Sequence, residues 1–230
     1  MYFCNFTTQK KKVMINEAGY IHSLIAQGEH QQQDFKFEIS DVCKIAKTLS
    51  AFANTEGGRL LIGVKDNGKI AGVRSEEEQY MIEAAAQVYC KPEVQCQMQS
   101  YTVEGRTVLI ASIEKSHQRP VCAKSEDGRY LAYVRVKDEN ILATPVHLHL
   151  WRMGDSPKGE LLEFTEREQT LLEQMASDNG LSLNQYCKRA HLPRPACLRL
   201  LAKFIRYGII DMVFEERQFR FRLKGEEFGL

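Results

Sequence analysis

No apolar stretch in the 230-residue sequence approaches the ~18 residues with which a helix crosses a bilayer, so a membrane-spanning helical protein is excluded. Lys10, Lys11 and Lys12 follow the first apolar residues, and no apolar run of secretory-signal length comes after them, so the expected location is the cytoplasm. Seven cysteines, at 4, 43, 90, 96, 122, 187 and 197, form no Cys-x-x-Cys pair. That odd, scattered set argues against a zinc ribbon or a redox dithiol and for reduced thiols. His147 and His149 also lack paired ligand spacing with Cys122. They alternate with Leu148 and Leu150 as one face of a short strand or helix, so no metal site is expected there. There is no Gly-x-x-x-x-Gly-Lys-Ser/Thr loop, and so no P-loop to support ATP binding. No repeat of solenoid length occurs.

Acidic residues are missing from one long C-terminal region. The whole chain is almost neutral, with 31 basic and 30 acidic residues, but no Asp or Glu occurs between 179 and 210. Lys188, Arg189, Arg194, Arg199, Lys203 and Arg206 all lie inside that window. A net charge near zero therefore conceals a local basic field in the C-terminal third.

Length and composition suit two modest domains. The stretch Met153-Gly-Asp-Ser-Pro-Lys-Gly159 is rich in turn formers, and it divides an N-terminal domain (1–152) from a C-terminal one (161–230) across a linker at 153–160. In the first domain helix and strand signals alternate. The spacing predicts a helix over 17–27 ended by Gly28, and a half-buried strand over 34–39 with Asp34, Lys36 and Glu38 on one face. Asp41 caps a helix with Val42, Ile45, Ala46, Leu49, Phe52 and Ala53 at helical spacing, which Gly57-Gly58 stops. Residues 59–65 follow as a central strand, with Asn67-Gly68 supplying the positive φ angles of a tight turn. Ser75 and Glu78 form a capping box, strands over 94–103 and 106–113 pair around Glu104-Gly105, and 129–136 is a further strand. This order indicates an α+β fold, a mixed sheet covered by helices.

After the linker, helices come first. Thr165 and Glu168 form a capping box for a helix with Phe164, Leu171, Leu172 and Met175 on its buried stripe. Ser182 caps a short second helix, and Pro193 and Pro195 mark entry to a third, ended by Gly208. Two strands then flank Glu215-Glu-Arg217. Three helices and a hairpin in about 65 residues is the layout of a winged helix-turn-helix. On the third helix, at ~100° per residue, Lys203 and Arg206 project within about 40° and 20° of Arg199. In a helix-turn-helix that stripe meets the major groove, with Lys188, Arg189 and Arg194 near backbone phosphates and Arg220 in the wing.

The run Leu49-Ser-Ala-Phe-Ala-Asn-Thr-Glu-Gly-Gly-Arg-Leu-Leu-Ile-Gly-Val-Lys-Asp-Asn-Gly-Lys-Ile-Ala-Gly-Val73 closely resembles the signature of the Schlafen-type Alba-like DNA-binding domain, also described as divergent AAA-type. Glu29 and Asp34-Phe-Lys36 before it, and Tyr133-Val-Arg135 after it, are similar to further elements of that family. The family-motif positions are thus Lys36, Asn54, Gly57, Gly58, Gly63, Asp66, Gly68 and Arg135. Some members are RNA endonucleases with three acidic residues, and the resemblance would place these at Glu29, Asp34 and Asp66, where Mg²⁺ or Mn²⁺ could be held. Asp34 stands where glutamate is usual. Members are often labelled ATP-binding, but Gly57-Gly58 is not followed by the lysine that would reach a phosphate.

The expectation is a homodimeric, DNA-binding transcriptional regulator that uses its C-terminal winged helix on duplex DNA and needs no cofactor. The alternative is a metal-dependent nuclease.

Overall fold

The computed structural model describes residues 17–154, 165–176 and 180–225; Lys10 to Lys12, Phe164 and most of the expected linker lie outside them. Helix α1 (Glu17–Ile25) leads past Gly28 into strand β1 (Gln33–Lys36), α2 (Val42–Asn54), β2 (Gly58–Ile62), α3 (Glu77–Gln87) and the short β3 (Cys90–Lys91). The hairpin of β4 (Cys96–Val103) and β5 (Arg106–Ile113) follows, then β6 (Cys122–Lys124), β7 (Tyr130–Val136) and β8 (Glu139–Leu142).

These strands make two four-stranded sheets, ordered β1-β2-β5-β4 and β3-β6-β7-β8. In the first, β1 runs parallel to β2 and the other pairs are antiparallel, so the sheet is mixed, as expected. The second sheet is antiparallel throughout. Helix α2 lies against both, and its Ile45, Ala46, Leu49, Phe52 and Ala53 pack with Leu60, Ile62, Leu109 and Ala111 of the first sheet and Ala123 of the second. Because α2 has sheet partners on two sides, even its polar Thr48, Ser50 and Asn54 are buried. Asp41 caps it, Oδ1 accepting from the backbone N–H groups of Cys43 and Lys44 at 2.8 and 3.2 Å. The opposite face of the first sheet, through Phe35, Leu61, Val108 and Ile110, is covered by Ile21 and Leu24 of α1.

Two local expectations are corrected. The strand expected over 34–39 ends at Lys36, and Gln33, Asp34 and Phe35 are all buried, so side-chain alternation does not set exposure on β1. The turn at Asp66-Asn-Gly68 has positive φ only at Gly68, whose N–H donates to Lys65 O at 2.7 Å, while Asn67 Oδ1 accepts from Lys69 N–H. It is therefore not the doubly left-handed turn expected. Glu104 and Gly105 do both take positive φ, 52° and 71°, in the two-residue link between β4 and β5.

The remaining elements are α4 (Pro145–Met153), α5 (Glu166–Ala176), α6 (Leu183–Arg189), α7 (Arg194–Arg206), β9 (Ile210–Glu215) and β10 (Gln218–Leu223). Leu171 and Met175 of α5, Tyr186 of α6, Cys197, Leu201 and Phe204 of α7, and Ile210 and Phe221 of the hairpin form a second core. Val146 of α4 is buried in this same core, with Leu150 and Met153 packed against it. Leu181, between α5 and α6, bridges to Phe221 as a one-residue strand, and Tyr186 Oη donates to Phe221 O at 2.8 Å. None of the described helices is long and apolar enough to cross a membrane.

Candidate nucleic-acid interface

The family-motif residues do structural work around the end of α2. Asn54 Nδ2 donates to Val121 O and Tyr133 O, and its Oδ1 accepts from Val121 N–H at 2.8 Å. Thr55 Oγ1 accepts from the backbone N–H of Arg135 at 2.9 Å. The helix terminus is thereby stitched to β7, which delivers Arg135 into the interior. Gly57, with φ +74°, and Gly58 turn the chain from α2 into β2, and a Cβ on Gly58 would stand 2.5 Å from the Phe52 ring. This glycine pair leads from a helix C-terminus into a strand, the reverse of a phosphate-cradling loop, which runs from a strand into a helix N-terminus. Gly63 takes φ +86°, and a Cβ there would stand 2.8 Å from the backbone of Gly72 and Val73, so close backbone approach is its requirement.

Arg135 is 1% exposed and places Nη2 3.1 Å from Asp34 Oδ1, while Lys36 Nζ lies 2.7 Å from Asp34 Oδ2. The guanidinium also donates to Gln33 O and Asn140 Oδ1 and lies over the Phe52 ring, 5.1 Å from its centroid. Glu29 Oε1 accepts from Phe35 N–H at 2.9 Å. Burial, then a hydrogen bond shared with Asp34, pushes the Glu29 carboxyl above the usual carboxylate range. Glu29 and Asp34 are thus brought together, but Asp66 lies exposed in the turn before Gly68. Among the described residues no three His, Cys, Asp or Glu side chains are grouped so as to hold a metal ion. With Asp34 already engaged by two cations, Glu29, Asp34 and Asp66 do not fit a shared Mg²⁺ or Mn²⁺ site.

The cations of the second unit divide. Lys188, Arg189, Arg194 and Arg199 are exposed, with Arg199 central on the outer arc of α7 and Arg194 hydrogen-bonded to Asn184. Lys203 turns inward instead and donates to Glu168 Oε1 of α5 at 2.9 Å. Burial alone would raise the Glu168 carboxyl, but hydrogen bonds from Lys203 and Thr165 N–H hold it below the usual range. Arg206 is only half-exposed. Arg220 pairs with Glu216, also donating to Gly180 O, and Arg222 pairs with Glu215 at 3.5 Å. The expected stripe of Arg199, Lys203 and Arg206 is therefore narrowed to Arg199 and the exposed part of Arg206, with Arg220 and Arg222 of the hairpin matched to Glu216 and Glu215.

Residues 29–144, half of the chain, match the family model described as Schlafen, AlbA_2, and the chain belongs to that family. Among solved structures it is similar to the DIP2311 protein from Corynebacterium diphtheriae, with 16% identity, a TM-score of 0.42 and coverage of 70% of this chain and 39% of that one. This chain thus spans well under half the length of DIP2311. It is similar also to the N-terminal domain of a RecG-related protein from Nitrosomonas europaea, with 21% identity, a TM-score of 0.42 and coverage of 66% and 98%. A third likeness is to the PcaV transcriptional regulator from Streptomyces coelicolor, with 24% identity, a TM-score of 0.26 and coverage of 35% and 55%. No curated protein matches the chain.

Proposed function

We propose that this Schlafen AlbA_2 protein binds nucleic acid, and that it is a transcriptional regulator whose C-terminal unit acts as a winged helix on duplex DNA. One observation carries the reading: α6 and α7 bear exposed Lys188, Arg189, Arg194 and Arg199 and no acidic residue. α7 is then the groove-entering helix. Arg199, at the centre of its outer arc, is the candidate for bidentate hydrogen bonds to guanine O6 and N7. Lys188, Arg189 and Arg194 flank the turn between α6 and α7, where they meet backbone phosphates and set register rather than sequence preference. With Lys203 held by Glu168, and Arg220 and Arg222 paired to Glu216 and Glu215, discrimination rests on few side chains.

A single unit with so few base contacts suits a two-fold regulator on two half-sites, and the reading includes a homodimer in which the AlbA_2 domain supplies the pairing surface or added backbone contacts. Light scattering at micromolar concentration should give twice the chain mass, with or without DNA; a monomer mass in both conditions removes that part. Binding itself is tested by selecting bound sequences from a random duplex pool and repeating the selection with Arg199→Ala. A preference blurred at one base position supports the reading, and an unchanged preference opposes it.

A further inference from the structure

We propose that a second cationic site, a cleft on the first unit made by Lys65, Lys69, Arg74 and Arg106 around Phe37, binds phosphate groups. The cleft holds about 420 Å³, larger than one phosphate and within the range of small-ligand sites. Its four basic side chains are exposed, and no acidic residue lines it. Lys65 and Lys69 come from the loop after β2, Arg74 from the segment before α3, and Arg106 from the start of β5. These positions are dispersed in sequence, so no charge run announces the site.

The side chains are held together before any ligand arrives. Lys65 Nζ lies 4.9 Å from the centroid of the Phe37 ring and the Arg74 guanidinium 5.1 Å from the same centroid. The negative faces of one ring thus offset the repulsion between two neighbouring cations and restrict two long, flexible stems. Arg106 Nη1 donates to Ile70 O at 2.5 Å, which fixes its guanidinium at the wall. Gly72 makes this placement possible, because a Cβ there would stand 3.1 Å from Arg106 Cβ. Among the described residues the carboxylate paired with these cations is Glu38, 2.9 Å from Arg74, in a pair 41% and 67% exposed and so screened by water. Four cations convergent on a cleft, with one compensating carboxylate outside it, make an anion site. Phosphate matches it best, as several oxygens can accept from ammonium and guanidinium groups at once.

Two sources carry that chemistry: the backbone of a nucleic-acid strand, which rests on the function proposed above, and a free phosphate anhydride. The experiment uses the full chain, inorganic pyrophosphate followed by calorimetry, and a short labelled DNA duplex followed by anisotropy. The variants are Lys65→Glu with Lys69→Glu, and Phe37→Leu, with circular dichroism to establish folding. Phe37→Leu keeps apolar volume but removes the ring, so it remains informative if the charge-reversed pair fails to fold.

Wild type should bind pyrophosphate. The double variant should weaken it about tenfold or more, Phe37→Leu should weaken it to a lesser degree, and Arg199→Ala should not change it. If the cleft tracks a strand, the double variant should also weaken the duplex about three- to tenfold and make its salt dependence shallower by about one to two charges. Loss of pyrophosphate alone, with the duplex unaffected, assigns the cleft to a free anhydride. If wild type binds no duplex but its pyrophosphate binding is lost in the double variant, the regulator reading fails and the cleft stands. If pyrophosphate does not bind and the duplex is indifferent to both cleft variants, the cleft proposal is overturned whether or not Arg199 matters.

Discussion

Arg135 Nη2 on β7 lies 3.1 Å from Asp34 Oδ1 on β1, with the two side chains 1% and 5% exposed. Removing one member of a buried pair leaves the other charge in a medium that solvates it poorly. Asp34→Ala is therefore expected to destabilise the protein by about 3 to 5 kcal/mol in urea unfolding, although Lys36 and Asn140 remain nearby. Asp66→Ala, in an exposed turn, should stay within about 0.5 kcal/mol of wild type. A loss below about 1 kcal/mol for Asp34→Ala would show that the ion pair is not what holds β7 to β1.

His147 supplies a pH dependence. Its ring packs edge-on against Phe219, 4.7 Å between centroids, and Nδ1 accepts from Thr144 N–H; burial pushes its pKa down to about 4. Below about pH 6.5 the unfolded chain takes up a proton that the folded chain resists, so protonation favours unfolding. Stability from this group is complete above about pH 6.5, falls as pH drops towards about 4, and levels below that, with a total on the order of 3 kcal/mol. Trp151, the one tryptophan, lies 5.7 Å from His147 and reports the transition by fluorescence. His147→Gln keeps a hydrogen-bond acceptor and should flatten the difference in urea midpoint between pH 7 and pH 5. An undiminished difference would assign the pH dependence to other groups.

Gly63 and Gly128 separate backbone strain from crowding. Both have positive φ, +86° and +81°, but a Cβ on Gly63 meets Gly72 and Val73 under 3.0 Å whereas one on Gly128 meets nothing within 4 Å. Alanine at either position strains the backbone by about 1 kcal/mol. Gly63→Ala should lose about 1 to 3 kcal/mol more, because the neighbour that must move is backbone. Equal losses in thermal or urea unfolding would contradict the close approach.

Elements with strong local signals were legible in the sequence. Asp41 and the apolar spacing after it announced α2, Glu104-Gly105 announced the β4–β5 hairpin, and Ser182 and the two prolines marked the entries to α6 and α7. Of the second sheet, β7 was legible as the strand expected over 129–136, but β3 and β6 were not, since they are two and three residues long and too short to carry an alternation of their own. The depth of Asp34 was missed for a different reason: its alternation with Lys36 suggests a half-solvated face, but Arg135, 101 positions away, closes over it. Lys203 shows the limit of local charge counting. No acid stands within four residues of it, so it looked free for DNA, yet Glu168 reaches it from α5 across 35 positions. Arg199 is exposed on α7, as its place on the helix opposite the apolar arc predicts.

The measurement that bears most directly on the central claim is duplex DNA affinity as a function of salt for wild type, Arg199→Ala and Lys188→Ala. Wild-type affinity should fall steeply and linearly on logarithmic axes. Arg199→Ala should lose about 1 to 3 kcal/mol on a selected site and much less on random duplex. Lys188→Ala should weaken both alike and make the slope shallower by about one unit. A flat response between low and physiological salt, with Arg199→Ala indistinguishable from wild type, would contradict the assignment of α6 and α7 as a DNA-binding surface.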